Sequence, residues 1–439
     1  MTIRMDEGAA ELLDTLHRAG YAAYVVGGCV RDSLLGLTPH DWDLCTSALP
    51  QQVMELFGAQ RCIPTGLQHG TVTVKQSGAL YEITTFRTEG TYTDGRHPDE
   101  VHFVPDVRED LARRDLTINA MAYNEKEGLV DPFGGQADLQ SGIVRAVGVP
   151  RQRFTEDALR ILRLYRFAAR FGFAIDPPTA QAAQKLCAHL DCVSVERIEE
   201  ELAKLLSAPA PAAYLNEKIL GVVLPELSPE ALAAAKPVVD ACPAGAENLP
   251  IRLAALLLSL GEDGTRRTLR RLRCSNNRIE ETAVLVREAR GCDGSFLFGH
   301  GSGHSIARPI AFGNRVPPQR TVRRETTVTP GFIIYARRLL GKYNLCTVQR
   351  IAALGTALQP ERAADFAALS ELAEQLDADG VCCRVSQLAV NGRDLMAAGV
   401  PAGPGIRKVL EALLDGVIRE EYPNERQALL AAVQQLAAS

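Results

Sequence analysis

Two aspartates and a pair of glycines are the residues of this sequence best suited to chemistry. Gly27 and Gly28 follow a short apolar run, and Asp41 and Asp43 flank a tryptophan. In an extended Asp-Trp-Asp segment both carboxylates lie on one face, and carboxylate oxygens are ligands that Mg²⁺ prefers. The pattern predicts a magnesium site at Asp41 and Asp43. For either feature taken alone, the alternative is a simple turn or a solvated acidic strand end.

The glycine pair predicts a close approach of the backbone to phosphate. Glycine adopts backbone angles that a Cβ atom forbids, and a helix that begins just after the pair directs free N–H groups outward. Arg31, three residues past Gly28, adds a charge-assisted donor. We therefore expect Gly28 and Arg31 to contact phosphate groups.

The hydrophobic pattern predicts the strands that position these residues. One strand over Tyr21–Val26 runs into the glycine pair, and a second covers Asp41–Cys45. Alternating residues predict a hairpin of Gly70–Lys75 and Leu80–Thr85. Glu82 lies on the last of these strands, where it either completes a three-carboxylate metal site or faces solvent.

The segments GGCVRDSLLG and DWDLCTSALP resemble the nucleotidyltransferase head of class II CCA-adding tRNA nucleotidyltransferases and bacterial poly(A) polymerases. The resemblance implies that Asp41 and Asp43 hold the catalytic metals and that Gly28 and Arg31 contact a nucleoside triphosphate. It also implies an α+β fold, in which a head with a mixed or antiparallel sheet is followed by an all-α neck, body and tail.

The segment LARRDLTINAMAY resembles the RRDxxxNA block of the same family and contains Arg114, Asp115 and Asn119. Carboxylate and amide oxygens accept hydrogen bonds from sugar hydroxyls, and arginine pairs with phosphate. We expect Arg114 to bind the nucleotide. A helix with a local ion pair is the alternative.

Residues 155–171 predict an amphipathic helix capped by Thr155. Four arginines fall within an arc of roughly 120° at helical spacing. These are Arg160, Arg163, Arg166 and Arg170. Taken alone, such a stripe is typical of a solvated helix face.

The EDxxR start of this helix, with Asp157 and Arg160, resembles the nucleobase-reading block of the family. Cytosine and adenine both present an exocyclic amine beside a ring nitrogen acceptor, whereas guanine and uracil present the reverse. Asp157 is expected to accept from the amine and Arg160 to donate to the ring nitrogen. A mismatched base leaves buried groups unpaired, at about 1–3 kcal/mol each. Arg163 and Arg166 line up behind this pair, toward the base or the triphosphate.

Three further blocks resemble parts of the family. Residues 88–100 predict a loop beside the active centre, with a plain surface loop as the alternative. Residues 131–138 resemble a short hinge, with a simple turn as the equal alternative. Glu196, Arg197 and Glu201 match ERxxxE and are expected to support the reading helix by ion pairs.

Composition and spacing bound the remaining possibilities. The net charge is −5, so any RNA contact must come from local basic patches. The cysteines lack regular metal spacing, which is typical of reduced thiols. No run approaches the ~18 apolar residues that span a bilayer. We expect a cytoplasmic protein of undetermined oligomeric state.

From Pro209 onward, short Ala/Leu-rich segments predict helices. The segment around Asn391–Asp394 resembles the tRNA-binding tail of bacterial CCA-adding enzymes, while 291–330 has little helical pattern and matches nothing expected of the family. The predicted domains are a catalytic head at 1–148, a neck at 149–206, a body at 207–335 and a tail at 336–439.

The expected activity is template-independent addition of C, C and A to the 3′ end of tRNA from CTP and ATP, with Mg²⁺ as cofactor. Poly(A) polymerase is one rival, although the net acidity and the absence of basic terminal extensions disfavour it. An enzyme that adds only A or only CC is another. A rival of a different class is an inactive RNA-binding protein of the same fold.

Overall fold

The structure, a computed structural model of the whole chain, describes residues 3–90, 100–291 and 329–438. Most of the expected loop at 88–100 and nearly all of the segment at 291–330 lie outside these described residues. The chain divides into two compact units. The first consists of Met1–Pro229 and Arg271–Arg273, and the second of Glu230–Arg270 and Cys274–Ser439.

The first unit has the α+β fold that the sequence predicts. Its described strands are β1 (Ala23–Val26), β2 (Leu44–Thr46), β3 (Cys62–Gly66), β4 (Thr71–Gln76), β5 (Ala79–Thr85), β6 (Arg87–Glu89), β7 (Val101–Phe103), β8 (Ala122–Asn124), β9 (Gly128–Val130), β10 (Ile143–Val144) and β11 (Ala174–Ile175). Its described α-helices are α1 (Glu7–Arg18), α2 (Gly28–Leu34), α3 (Pro50–Phe57), α4 (Val107–Ala112), α5 (Gly135–Ser141), α6 (Pro150–Glu156), α7 (Leu159–Phe171), α8 (Pro177–Leu186), α9 (Val195–Leu206) and α10 (Glu217–Val223).

A seven-stranded mixed sheet, in the order β3-β4-β5-β2-β1-β8-β9, brings the chemical residues together. β2 runs parallel to β5 and antiparallel to β1. Leu44 on β2 is paired with Ile83 on β5 and with Val25 on β1. The residues just before Leu44 therefore lie between the glycine turn that ends β1 and the strand that carries Glu82.

The predicted hairpin is confirmed, since β4 and β5 pair antiparallel from Thr71 and Thr84 to Gln76 and Ala79. The two strands at the acidic site are shorter than the sequence predicts. β1 begins at Ala23, and β2 begins at Leu44, so both aspartates precede the strand. The backbone at Asp43 is still hydrogen-bonded to β1, because the N–H of Val26 donates to the carbonyl of Asp43 at 2.9 Å.

The reading helix departs from the predicted 155–171 in where it begins. α6 ends at Glu156, Asp157 has extended dihedral angles, and α7 begins at Leu159. The Thr155 hydroxyl donates to the carbonyl of Arg151 instead of capping a helix. Ala158 is the residue that precedes the first turn of α7, and the Asp157 carboxylate accepts from the N–H of Leu159 at 3.0 Å.

The block at 131–138 is a turn that leads into the first residues of α5. The Asp131 carboxylate accepts from the N–H groups of Gly135 and Gln136 at 2.7 and 2.9 Å. A Cβ atom on Gly135 would lie 2.3 Å from the carbonyl oxygen of Thr117. Glycine is required at 135 because the backbone of a neighbouring turn occupies the space of a side chain.

We expect Gly135→Ala to destabilise the protein by about 1–3 kcal/mol, because the new methyl group must displace backbone. Thermal unfolding of the purified variant measures the effect. Gly221→Ala is the matched control, since nothing lies within 4 Å of a Cβ atom there in the middle of α10. That substitution should raise stability by about 0.4–1 kcal/mol. Equal melting temperatures for the two variants would contradict this account of Gly135.

The second unit is helical in its described part. The helices that lie wholly or mainly in it are α11 (Pro229–Ala241), α12 (Leu249–Leu257), α13 (Gly261–Arg271), α14 (Asn276–Gly291), α15 (Pro330–Lys342), α16 (Leu345–Leu358), α17 (Ala363–Ala378), α18 (Gly392–Ala397), α19 (Pro404–Ile418) and α20 (Arg426–Ala438). One core, which includes Leu395, Leu413 and Leu429, packs the last three of these helices together. Within the described ranges, no helix is both long and apolar enough to cross a membrane.

Candidate active site

Asp41 and Asp43 are presented to solvent by a buried residue between them. Trp42 is 8% exposed, whereas both aspartates are exposed. Because alternate residues of an extended segment point to opposite sides, burial of Trp42 directs both carboxylates outward together. The arrangement expected from the sequence is therefore present, although the segment lies outside the strand itself.

The protein around Asp43 disfavours its negative charge. Loss of hydration is the largest cause that raises the pKa of this carboxyl; the charges of Glu82 and Asp41 also raise it, and Arg114 opposes them. Lost hydration and two neighbouring carboxylates together outweigh the opposing charge of Arg114. A divalent cation is the kind of ligand that such a group of carboxylates fits.

Asp41 and Asp43 fit Mg²⁺ as a pair of ligands, without a third carboxylate to complete the coordination shell. In the parts of the chain that the structure describes, no group of three or more His, Cys, Asp or Glu side chains is arranged to hold a metal ion. The structure therefore does not assemble a three-carboxylate site from Asp41, Asp43 and Glu82. Mg²⁺ commonly takes one or two carboxylates and completes its shell with water and substrate phosphates, so two aspartates suffice.

The glycine turn lets two arginines approach the backbone. Gly27 has φ +79°, and a Cβ atom on it would lie 2.9 Å from Nη1 of Arg114. A Cβ atom on Gly28 would lie 3.6 Å from Nη2 of Arg31. Arg114 donates to Asp110 at 3.3 Å, and its Nε is buried without a hydrogen-bond partner. The turn thus places donors of Arg114 beside the N-terminus of α2.

Arg31 lies beneath the turn and not on its surface, since it is 4% exposed. Its Nε and Nη2 contact one oxygen of Asp32 at 2.8 and 2.7 Å, and its Nη1 donates to Asn119 at 2.5 Å. Asn119 in turn donates to Asp115 at 3.2 Å. Arg31, which the sequence predicts to contact phosphate, is therefore fixed in the protein interior just beneath the glycine turn.

Asp115 joins the head residues to the reading helix. Its second oxygen accepts from Nε of Arg163 at 2.8 Å. Burial alone would raise the pKa of Asp115, but the charges of Arg163 and Arg160, together with hydrogen bonds from Arg163 and Asn119, hold it well below the ordinary value. Asp115 therefore stays ionised and acts as a fixed anion between two segments of the chain.

Every arginine of the predicted stripe has an acidic partner. The four pairs are Arg160 with Glu156 at 2.8 Å, Arg163 with Asp115 at 2.7 Å, Arg166 with Glu201 at 2.5 Å and Arg170 with Asp32 at 3.1 Å. Arg160 and Arg166 are each 9% exposed, so a freely solvated face is wrong for these two. The stripe is a set of positioned guanidinium groups.

Asp157 is held in place by the ERxxxE motif on α9. Arg197 on α9 donates to the Asp157 carboxylate at 2.7 Å, and Glu201 on the same helix holds Arg166. These contacts confirm that α9 supports the reading helix by ion pairs. Glu196 pairs elsewhere, with Arg273.

Sequence reasoning missed two buried carboxylates, Asp32 and Asp110. Asp32 accepts from Arg31 and from Arg170. Asp110 accepts from Arg113 and Arg114. The helical spacing of Asp110 to Arg113 and Arg114 was a usable signal for the second. For Asp32 only the adjacent Arg31 was visible, because Arg170 lies far along the chain.

We expect Asp115→Asn to destabilise the protein by about 3 kcal/mol at pH 7, because Arg163 and Arg160 lose a buried anion. The folded pKa of Asp115 lies below its ordinary value of 3.8, so this stabilisation is complete above that value and is lost as the pH falls toward the folded pKa. The difference in melting temperature between wild type and variant should therefore be constant from pH 7 to about pH 5 and shrink below about pH 4. A difference that grows on acidification would contradict this role.

Comparison with known families places the matches on the segments described above. The profile of the "Poly A polymerase head domain" matches residues 23–145, and that of the "Probable RNA and SrmB- binding site of polymerase A" matches 172–230. A profile of tRNA nucleotidyltransferase domain 2 matches 334–433. The first of these ranges contains the glycine turn and both exposed aspartates.

Similarity to individual proteins extends over nearly the whole chain. The CCA-adding enzyme of Levilactobacillus brevis is 36% identical over 433 residues, which is 97% of each chain. The CCA-adding enzyme of Geobacillus stearothermophilus is 34% identical over 96% of this chain and 95% of its own. The crystal structure of the Bacillus stearothermophilus CCA-adding enzyme in complex with CTP superimposes with a TM-score of 0.76 at 30% identity, and the match covers 99% of this chain and 98% of that one. The chain therefore belongs to the family of CCA-adding enzymes, which are nucleotidyltransferases.

Proposed function

We propose that this protein adds C, C and A to the 3′ end of tRNA from CTP and ATP without a nucleic acid template. The observation that carries the proposal is the fixed pair of Asp157 and Arg160 at the start of α7. Arg197 holds the first at 2.7 Å, and Glu156 holds the second at 2.8 Å. The similar enzyme of Bacillus stearothermophilus was crystallised in complex with CTP.

Asp157 and Arg160 are proposed to read the base. An ionised carboxylate only accepts hydrogen bonds and a guanidinium only donates them, so the pair matches the amine and ring nitrogen of cytosine or adenine. Uracil and guanine reverse both groups, and a buried mismatch leaves charged groups unpaired. Because ion pairs hold both side chains, neither can turn away to accept the wrong base.

Gly28, Arg31 and Arg114 are proposed to bind the triphosphate. Gly28 leaves the first N–H groups of α2 accessible to an anion. Arg114 keeps 23% of its side chain exposed, and its Nη1 lies beside Gly27, where it would donate to a phosphate oxygen. Arg31 supports the same anion from behind with its positive charge, and Arg163 and Arg166 extend the cationic surface toward the base.

Asp41 and Asp43 are proposed as the catalytic residues and as the ligands of Mg²⁺. An ion held there would neutralise charge on the triphosphate and lower the pKa of the attacking 3′-hydroxyl of tRNA. That hydroxyl would lose its proton to solvent as its oxygen forms a bond to the α-phosphorus, and the bond from that phosphorus to pyrophosphate would break. The two carboxylates orient the reacting groups from one face, since the buried Trp42 between them limits their movement.

Each of four segments of the chain is proposed to have a separate role. Residues 1–148 form the catalytic head, 149–206 the base-reading neck, 207–335 the body, and 336–439 a tail that binds tRNA. The head and neck assignments rest on the site residues above, and the tail assignment rests on the family profile over 334–433. A cytoplasmic location and the choice of Mg²⁺ belong to the same proposal.

Incubation of the purified protein with tRNA that lacks its 3′-terminal CCA, one labelled nucleotide at a time and then in combination, tests the proposal. We expect incorporation of C and A that stops after three additions. Long A tails would indicate a poly(A) polymerase, and incorporation of only A or only CC would indicate a partial enzyme. No incorporation from any nucleotide, with Mg²⁺ present, would overturn the proposal in favour of an inactive RNA-binding protein.

A further inference from the structure

The ring of Phe167 on α7 is in contact with three of the arginines. The guanidinium carbons of Arg31, Arg163 and Arg166 lie 5.0, 5.6 and 3.8 Å from its centroid. A guanidinium within about 6 Å of a ring centroid is attracted to the negative face of the aromatic system. Phe167 is 5% exposed, so these contacts are made largely away from water.

The three arginines come from two elements, α2 and α7, which are also joined by the hydrogen bond from Arg170 to Asp32 at 3.1 Å. Arg31 lies on α2 beside the glycine turn, whereas Arg163 and Arg166 lie on α7. Their nearest carboxylates are Asp32, Asp115 and Glu201 respectively, and Glu201 also lies 3.9 Å from Arg163. The phenyl ring is thus the contact that all three share, and their mutual repulsion acts against this grouping.

A second aromatic ring fixes the orientation of the first. Phe171, one turn further along α7, is parallel to Phe167 within 10°, with centroids 6.2 Å apart. Its ring also lies 5.2 Å from the guanidinium of Arg31 and 5.0 Å from that of Arg170. The stack restricts rotation of Phe167 and therefore keeps its face toward the arginines.

We propose that Phe167 is a positioning residue for the nucleotide. Its ring holds the guanidinium of Arg31, which lies behind the proposed triphosphate site, at a fixed place relative to those of Arg163 and Arg166, which lie toward the base. The inference rests on the proposed function of this site. Phe167 itself touches neither nucleotide nor metal; it acts through Arg31, Arg163 and Arg166. Loss of the aromatic face lets these side chains separate, which weakens nucleotide binding and loosens the choice of base.

The test compares Phe167→Leu and Phe167→Met with Phe167→Tyr, which keeps the ring. The matched control is Phe366→Leu in the second unit, because Phe366 is 2% exposed and the guanidinium of Arg362 lies 5.7 Å from its centroid. The measurements are the dissociation constant for CTP by calorimetry, the CTP-to-UTP ratio of kcat/KM on tRNA, and the melting temperature.

We expect the leucine and methionine variants to bind CTP about tenfold more weakly and to show a CTP-to-UTP ratio about tenfold lower. Phe167→Tyr should stay within about twofold of wild type, and Phe366→Leu should lower only the melting temperature. Equal CTP affinity and equal ratio in Phe167→Met and Phe366→Leu would overturn the inference, even if Phe167→Leu does not fold. Failure of the wild-type protein to extend tRNA would overturn the proposed function instead, and the CTP affinities would still decide the role of Phe167.

Discussion

Asp43→Asn is expected to lower nucleotide incorporation at least a thousandfold without lowering the melting temperature. The loss follows from the charge stabilisation of several kcal/mol that a bound metal ion supplies in the transition state. Asparagine has nearly the shape of aspartate but lacks the charge that is proposed to hold Mg²⁺. The expected defect is therefore in kcat and persists at saturating nucleotide and tRNA.

Stability should move in the opposite direction to activity. The pKa of Asp43 is raised above its ordinary value by lost hydration and by the charges of Glu82 and Asp41. A raised pKa means that the ionised carboxylate is held at a cost to the folded state at neutral pH. Removing the charge relieves that cost, so the melting temperature should stay the same or rise slightly.

Glu82→Gln separates the loss of a metal ligand from the loss of a nearby negative charge. This substitution relieves the same repulsion but leaves the pair of Asp41 and Asp43 intact, so incorporation should fall by no more than about tenfold. The measurement is incorporation of labelled CMP into tRNA, with the melting temperature taken on the same samples. Retention of more than a tenth of wild-type activity by Asp43→Asn would remove it from the catalytic pair.

The local parts of this site could be predicted from the sequence because they depend on short-range rules. Glycine at 27 is needed for φ +79°, and the alternation of Asp-Trp-Asp directs both carboxylates to one side. The hairpin of β4 and β5 follows from strict alternation in the same way. In each case neighbouring residues alone determine the outcome.

The parts of the site that could not be predicted depend on contacts between residues that are far apart in the sequence. Arg170 pairs with Asp32 at 3.1 Å, and Arg163 pairs with Asp115 at 2.7 Å. No spacing rule along the chain reveals such partners, so the spacing of the arginines, taken alone, was typical of a solvated face, and only the family resemblance indicated nucleotide binding. The break at Asp157 was hidden for a related reason, since its extended backbone places the carboxylate both on the N–H of Leu159 and against Arg197.

Arg160→Ala is expected to relax the choice of base more than it lowers catalysis. Arg160 is 9% exposed and donates to Glu156 at 2.8 Å, so its guanidinium is held at one position. Without it, cytosine loses a donor to its ring nitrogen, whereas uracil loses a repulsive contact with its ring N–H. We expect the CTP-to-UTP ratio of kcat/KM to fall about a hundredfold, from the cost of leaving a buried group unpaired on each side of the comparison.

Arg153→Ala is the matched control, because Arg153 contacts the other oxygen of the same carboxylate, Glu156, at 2.5 Å. Each substitution removes one of the two guanidinium partners of Glu156, and each should lower the melting temperature. Only Arg160 is assigned to the base, so the CTP-to-UTP ratio should remain that of wild type in Arg153→Ala. If both variants change the ratio equally, the selectivity comes from the position of Glu156; if Arg160→Ala slows CTP and UTP alike, Arg160 contributes charge and no base recognition.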